Sequence, residues 1–150
     1  MMMFEYFKYI LVFLIYGTRP ILYKYIVPYI NVESMILISG MFYFILAIFY
    51  VYFTKPTKLI QDIRLINKTP SLHLALWFTA LLGLIATHFY LDLLKDSSAF
   101  LLTAILSAYP LVTAVLGYLF LNEVITRKQL IGMVVIIVGV MMLNFGDFDY

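Results

Sequence analysis

Residues 97–122 read SSAFLLTAILSAYPLVTAVLGYLFLN, and these twenty-six residues carry no charged side chain. A helix crosses about 30 Å of hydrocarbon with about 20 mainly apolar residues. Within lipid every backbone N–H and C=O must find its partner inside the segment, which leaves helices and closed barrels. A barrel strand is about half as long and alternates apolar with polar. The run does neither, so it predicts a membrane-spanning helix. Four more stretches qualify on either side of it. Residues 35–53 and 129–146 carry no charge, and 71–91 contain only His73 and His88 as titratable groups. Residues 9–28 are apolar but interrupted by Gly17-Thr18-Arg19-Pro20 and by Lys24. The expected fold is an all-α membrane protein, a bundle of five transmembrane helices, with residues 1–150 forming a single transmembrane domain.

Composition agrees. Of 150 residues, 65% are hydrophobic and 12% charged, with a mean hydropathy of +1.02. A soluble domain is roughly half apolar and a quarter charged, and so small a globule leaves much of its surface exposed. Lipid is the solvent that this composition fits. The chain contains no cysteine, which excludes disulfides and thiolate metal sites. A net charge of +2 does not point to nucleic acid. No metal-ligand spacing and no nucleophile motif occurs, so no enzyme activity and no cofactor are expected. The thirteen Phe, thirteen Tyr and eight Met read as lipid-facing and packing residues. The apolar run after Lys8 continues to about Pro28 with no small-residue cleavage site, which is too long for a signal core. It reads as the first span.

The connections are short except for residues 54–70, which hold Lys55, Lys58, Arg64 and Lys68. Arg127 and Lys128 lie between the last two spans, and Lys95 stands between Asp92 and Asp96. Lys and Arg collect on the cytoplasmic side. With the N-terminus inside, seven cations (Lys8, Lys55, Lys58, Arg64, Lys68, Arg127 and Lys128) are cytoplasmic, against Lys95 and Lys24 outside. This predicts a cytoplasmic N-terminus and an outer C-terminus.

Some residues break the membrane rule. Arg19 falls near the middle of the first span, where insertion costs roughly 2.5–3.5 kcal/mol. Either it faces a polar cavity or an acid, or the span is shifted and Arg19 lies nearer the headgroups. Pro20 removes the donor for the Tyr16 carbonyl and predicts a kink there. Pro110 does the same to the Leu106 carbonyl in the fourth span. Thr103, Ser107 and Tyr109 beside it either line a midplane cavity, as interrupted transporter helices do, or bond their own backbone. His88 is either a packed histidine or a binding and titrating group, with Asp92 four residues on. Gly132 and Gly139, two turns apart, share a helix face and suit close helix packing, within the chain or across a dimer. Thr79, Gly83 and Thr87 form a similar stripe.

Residues 91–145 resemble the EamA-type repeat of the drug/metabolite transporter superfamily. The matching features are Pro110 to Thr113 in a P-x-x-T/A context, Glu123 ending that helix, a basic turn, and Gly132 and Gly139 in G-x6-G. Tyr16, Gly17 and Lys24 stand where the family's first helix reads W-G-x6-K. The resemblance implies five helices equal to half of a ten-helix transporter, whose halves are related by inverted topology. One EamA-like repeat then implies a homodimer or pairing with another half-transporter. The small multidrug resistance branch is also similar in the last helix, but its acidic residue in the first helix falls on Leu14 here. The expected function is that of a carrier of a small organic solute, anionic or zwitterionic, working by alternating access in the lipid bilayer. Its substrate would meet Arg19, Thr103, Ser107, Tyr109 and His88. A membrane scaffold or regulatory subunit that kept the fold is the alternative, and a channel a third reading.

Overall fold

The computed structural model describes the backbone of residues 2–54 and 56–145, and the side chains of 6–54 and 57–143. Among the described residues it is helical throughout, without strands. The helices are α1 (Met2–Ile26), α2 (Val32–Thr54), α3 (Pro56–Lys68), α4 (Pro70–Asp96), α5 (Ala99–Leu106), α6 (Tyr109–Leu121) and α7 (Arg127–Phe145). Among the described residues three stretches are long and apolar enough to cross a membrane: Val32–Thr54, Pro70–Asp96 and Ala99–Leu121, the last made of α5 and α6 together. α1 covers the expected first span but begins at Met2, because nothing in residues 2–8 breaks a helix. Arg19 and Lys24 dilute its apolar run. α7 starts two residues before the expected 129; the expected end at Gly146 lies outside the described residues.

The connection 54–70, read as a loop, is largely helical. Apolar Leu59, Ile63 and Ile66 recur at helical spacing, and Pro56 occupies the first position, where its missing N–H costs nothing. Thr69 interrupts the helix just before Pro70, whose ring disfavours α geometry in its predecessor. α4 then runs for 27 residues, about 40 Å. That exceeds the hydrocarbon thickness of about 30 Å, and the charged residues of α4, Asp92, Lys95 and Asp96, are confined to its last turns.

The chain divides into two compact units. Residues 23–96 form one, in which α3 packs against α2 and α4, and α2 against α4. Its buried cluster is Val27, Val32, Met35 and Leu91, with Tyr23, Ile26, Ile36 and Tyr90 packed around it. Tyr23 meets Tyr90 edge-on, with ring centroids 6.2 Å apart. Beside this cluster Lys24 Nζ donates to the carbonyls of Leu94 (2.7 Å) and Lys95 (3.0 Å). The last carbonyls of a helix have no partner within it, and they carry its negative dipole end. A partly buried ammonium answers both needs. The other unit holds residues 1–22 and 97–150; of its helices, α5 packs against α7.

Large apolar side chains point outward over the spans. Phe42, Trp77 and Phe120 are 64%, 69% and 76% exposed. Such continuous apolar surface is foreign to a soluble protein and natural on lipid-facing helices.

Lys24→Met removes two charge-assisted bonds and the compensation of the α4 terminus. The expected loss is about 1–2 kcal/mol, seen in unfolding in detergent micelles. Faster amide exchange near residues 91–96 should accompany it, and Lys24→Arg should retain most of the stability.

Candidate functional site

The break in the fourth span falls at Ser107-Ala108, directly before Tyr109-Pro110. Ser107 (φ −62°, ψ −8°) and Ala108 (φ −78°, ψ −8°) keep a helical sense but a tightened turn. The Ser107 N–H is shared between the Thr103 and Ala104 carbonyls (3.0 and 3.1 Å). The Ala108 N–H reaches the Ile105 carbonyl (3.3 Å), and that of Leu111 the Ala108 carbonyl (3.0 Å). Apart from the Ser107–Thr103 bond, these are i to i−3 bonds of 3₁₀ type. Pro110 contributes to the break, since it has no N–H for the Leu106 carbonyl and sits comfortably only in a first turn. At the other end of the first half, Ser98 caps α5 by accepting from the Leu101 N–H at 3.1 Å.

The hydroxyls of this span are turned inward on their own backbone. Thr103 Oγ1 donates to the Ala99 carbonyl (2.6 Å) and Ser107 Oγ to that of Ala104 (2.6 Å). Thr113 Oγ1 does so toward Tyr109 at a longer 3.4 Å. A hydroxyl has one proton and two lone pairs, so Thr103 and Ser107 can still accept from a solute but have no second proton to give.

Tyr109, Pro110 and Thr113 line a cleft of about 340 Å³ that Glu123, Gln129 and Met133 help to close. Two local devices shape its far wall. Asn122 ends α6 in the left-handed region (φ 54°), where Asn is tolerated, and the N–H groups of Asn122 and Glu123 both reach the Gly117 carbonyl. The chain turns so sharply that a methyl group added at Gly117 would lie 2.7 Å from Glu123 Oε2. Thr126 and Gln129 then form a capping box at the start of α7. Gln129 Oε1 accepts from Thr126 N and Oγ1 at 2.8 Å, and Thr126 Oγ1 accepts from Gln129 N at 3.3 Å. Sequence reasoning passed over Gln129. The Thr126-x-x-Gln129 spacing is the signal that marks it.

Arg19 lies in the C-terminal half of α1, exposed, with its guanidinium carbon 5.8 Å from the centre of the Tyr16 ring. Pro20 follows it inside the helix and is buried. Thr18 donates to the Leu14 carbonyl at 2.8 Å. His88 belongs to the other unit. It is half-buried on α4, edge-on to Phe89 at 5.8 Å, and lines a cleft between α2 and α4 of about 530 Å³. Ile36, Leu37, Leu84 and Ile85 make that cleft apolar, and Glu33 brings it a carboxylate that the sequence did not single out. Asp92, the acid four residues after His88, accepts from Lys95 Nζ at 3.0 Å. Gly132 and Gly139 are exposed on α7, and a methyl group added at either would meet nothing within 4 Å.

Pro110→Ala supplies the missing N–H opposite the Leu106 carbonyl. The expected result is one continuous helix through 107–108, with amide exchange there slowed roughly tenfold; unchanged exchange would mean that Ser107 and Ala108, not Pro110, cause the break.

No curated protein and no solved structure matches this chain. The family model of the EamA-like transporters matches residues 3–145, nearly the whole sequence. The chain belongs to the EamA-like transporter family of the drug/metabolite transporter superfamily, as the Pro110, Glu123 and Gly132/Gly139 pattern had suggested, and is a multi-pass integral membrane protein.

Proposed function

We propose that this protein carries a small organic anion or zwitterion across the bilayer by alternating access, as a dimer. The observation that carries the reading is the interrupted span of a family transporter, with a mid-span break at Ser107-Ala108. Five spans (α1, α2, α4, α5 with α6, and α7) then cross the membrane, and the excess of cations on the even-numbered connections and at the N-terminus puts that terminus in the cytoplasm.

The chemistry at the interrupted span selects a solute type. Thr103 and Ser107 spend their protons on backbone carbonyls, so their oxygens favour a solute that donates, such as an ammonium or a hydroxyl. Arg19 supplies the complementary cation for a carboxylate. Tyr109, which lines the cleft beside α6, can donate or accept. His88 and Glu33 offer polar groups in a separate cleft between α2 and α4. Pro20 and Pro110 are the hinges about which the first and fourth spans bend between inward-open and outward-open states. A second copy completes the cavity, with Gly132 and Gly139 on the open face of α7 as its contact.

Saturable uptake by proteoliposomes tests this reading. Arg19→Gln is expected to lower uptake efficiency for an anionic or zwitterionic solute at least roughly tenfold, since truncating one partner of a desolvated charge pair costs ~2 kcal/mol or more. Intact uptake of every anionic and zwitterionic candidate by that variant would sink Arg19 as the charge partner. Absence of saturable uptake in the native protein would favour the scaffold or regulatory subunit.

The dimer has its own test. The chain has no cysteine, so single cysteines at Gly132 or Gly139 report cross-linking without background. Efficient capture is expected in membranes, and replacing the other glycine by leucine should abolish it while leaving the helices formed. No capture at either position would remove α7 as the interface.

A further inference from the structure

α3 is tied at both ends to membrane spans. One residue, Lys55, separates it from α2, and one, Thr69, from α4. Both neighbours are long and apolar enough to cross the bilayer. Those tethers hold α3 at the level where α2 and α4 leave the hydrocarbon. Its sequence is built for that level. Leu59, Ile63 and Ile66 follow one another at i, i+4 and i+7, with Ile60 alongside, and share one face. Thr57, Gln61, Arg64 and Lys68 follow at i, i+4, i+7 and i+11 on the opposite face, and Lys58 flanks them. Leu65 stands outside the apolar face, and Asp62 is the one acid against three cations. Although α3 packs against α2 and α4, its apolar side is not covered. Leu59, Ile60 and Ile63 remain 45%, 56% and 48% exposed, and Lys58, Arg64 and Lys68 are exposed too.

We propose that α3 is a surface-lying membrane helix that binds an anionic phospholipid leaflet. Its axis runs along the interface. Leu59, Ile60, Ile63 and Ile66 enter the boundary of the acyl chains, and Lys58, Arg64 and Lys68 meet lipid phosphates, their alkyl stems covering apolar surface on the way. Two signals act together, as stable surface attachment requires: apolar insertion and attraction to anionic headgroups. A leaflet is the occupant that fits both faces at once, because a protein partner on the apolar side would leave the cations unmatched. Binding of this kind also fixes which side of the membrane the α2–α4 connection occupies. It rests on the membrane location of α2 and α4 and is independent of whether the protein transports.

The test places a nitroxide on single cysteines at Ile63 and at Gln61 of the full-length protein, in phosphatidylcholine vesicles with and without phosphatidylglycerol. The label at 63 should be reached by oxygen and the label at 61 by a water-soluble nickel chelate. Adding phosphatidylglycerol should widen that contrast roughly twofold or more. The variant Lys58→Gln/Arg64→Gln/Lys68→Gln should keep the contrast but lose its dependence on the anionic lipid. Equal access of the nickel chelate to both labels would overturn the proposal by placing α3 in water. A label at 63 shielded from both reagents would overturn it too, by showing protein on the apolar face. A triple variant that keeps the full response to phosphatidylglycerol would remove the cations from the account.

Discussion

Hydrocarbon offers no hydrogen bonds, and the long apolar helices follow from that restriction. A backbone group left unpaired in lipid costs several kcal/mol, so each long apolar run closes its own ladder as a helix. The same restriction governs the side chains. Hydroxyls along the spans are returned to their own helix, Thr18 to Leu14, Thr79 to Ala75 and Thr103 to Ala99. Packing, by contrast, asks little of this chain. Among the described residues seven apolar ones are buried, and most of the aromatic surface faces outward. A soluble fold with that distribution would aggregate. In lipid it is ordinary, because tails solvate Phe and Leu as well as a core does.

Where the ladder is broken, the break has a chemical cause. Pro110 takes one donor from the fourth span, and the chain answers with a two-residue 3₁₀ turn instead of an orphaned stretch. The helical sense survives, so Ala99–Leu121 still reads as one span-length segment. Pro20 lies inside an α1 that remains helical on both sides, which shows that a proline alone does not decide whether a span divides. Pro110 follows Ser107, whose hydroxyl bonds three residues back to Ala104 and competes with the regular ladder. Thr18, before Pro20, bonds four residues back, in step with that ladder.

The long apolar runs were readable from sequence because lipid solvation acts on composition and length, which are local. Helix α3 was not, because a stretch rich in Lys, Arg, Asn and Gln resembles a loop until its apolar residues are placed at helical spacing. The pairing of Lys24 with the Leu94 and Lys95 carbonyls was hidden for another reason: about seventy residues separate the partners. No spacing rule reports a side chain that caps a distant helix. The candidate site divided along the same line. Thr103, Ser107 and Tyr109 were singled out through the proline beside them. Glu33 and Gln129 were overlooked because the first stands just outside an uncharged run and the second was read only as the first residue of the last span.

Two cations on α1, five residues apart, illustrate how structure assigns roles that composition cannot. Five residues turn a helix by about 140° once whole turns are removed, so Arg19 and Lys24 leave α1 in different directions. Lys24 has three N–H donors, and two of them are committed to the end of α4. Removing it would expose a helix terminus before it changed any affinity. Arg19 is exposed, and its guanidinium approaches the Tyr16 ring of its own helix. A guanidinium also loses its water more readily than an ammonium does. The family pattern marks Lys24, and the bonds to the end of α4 give that position a structural use.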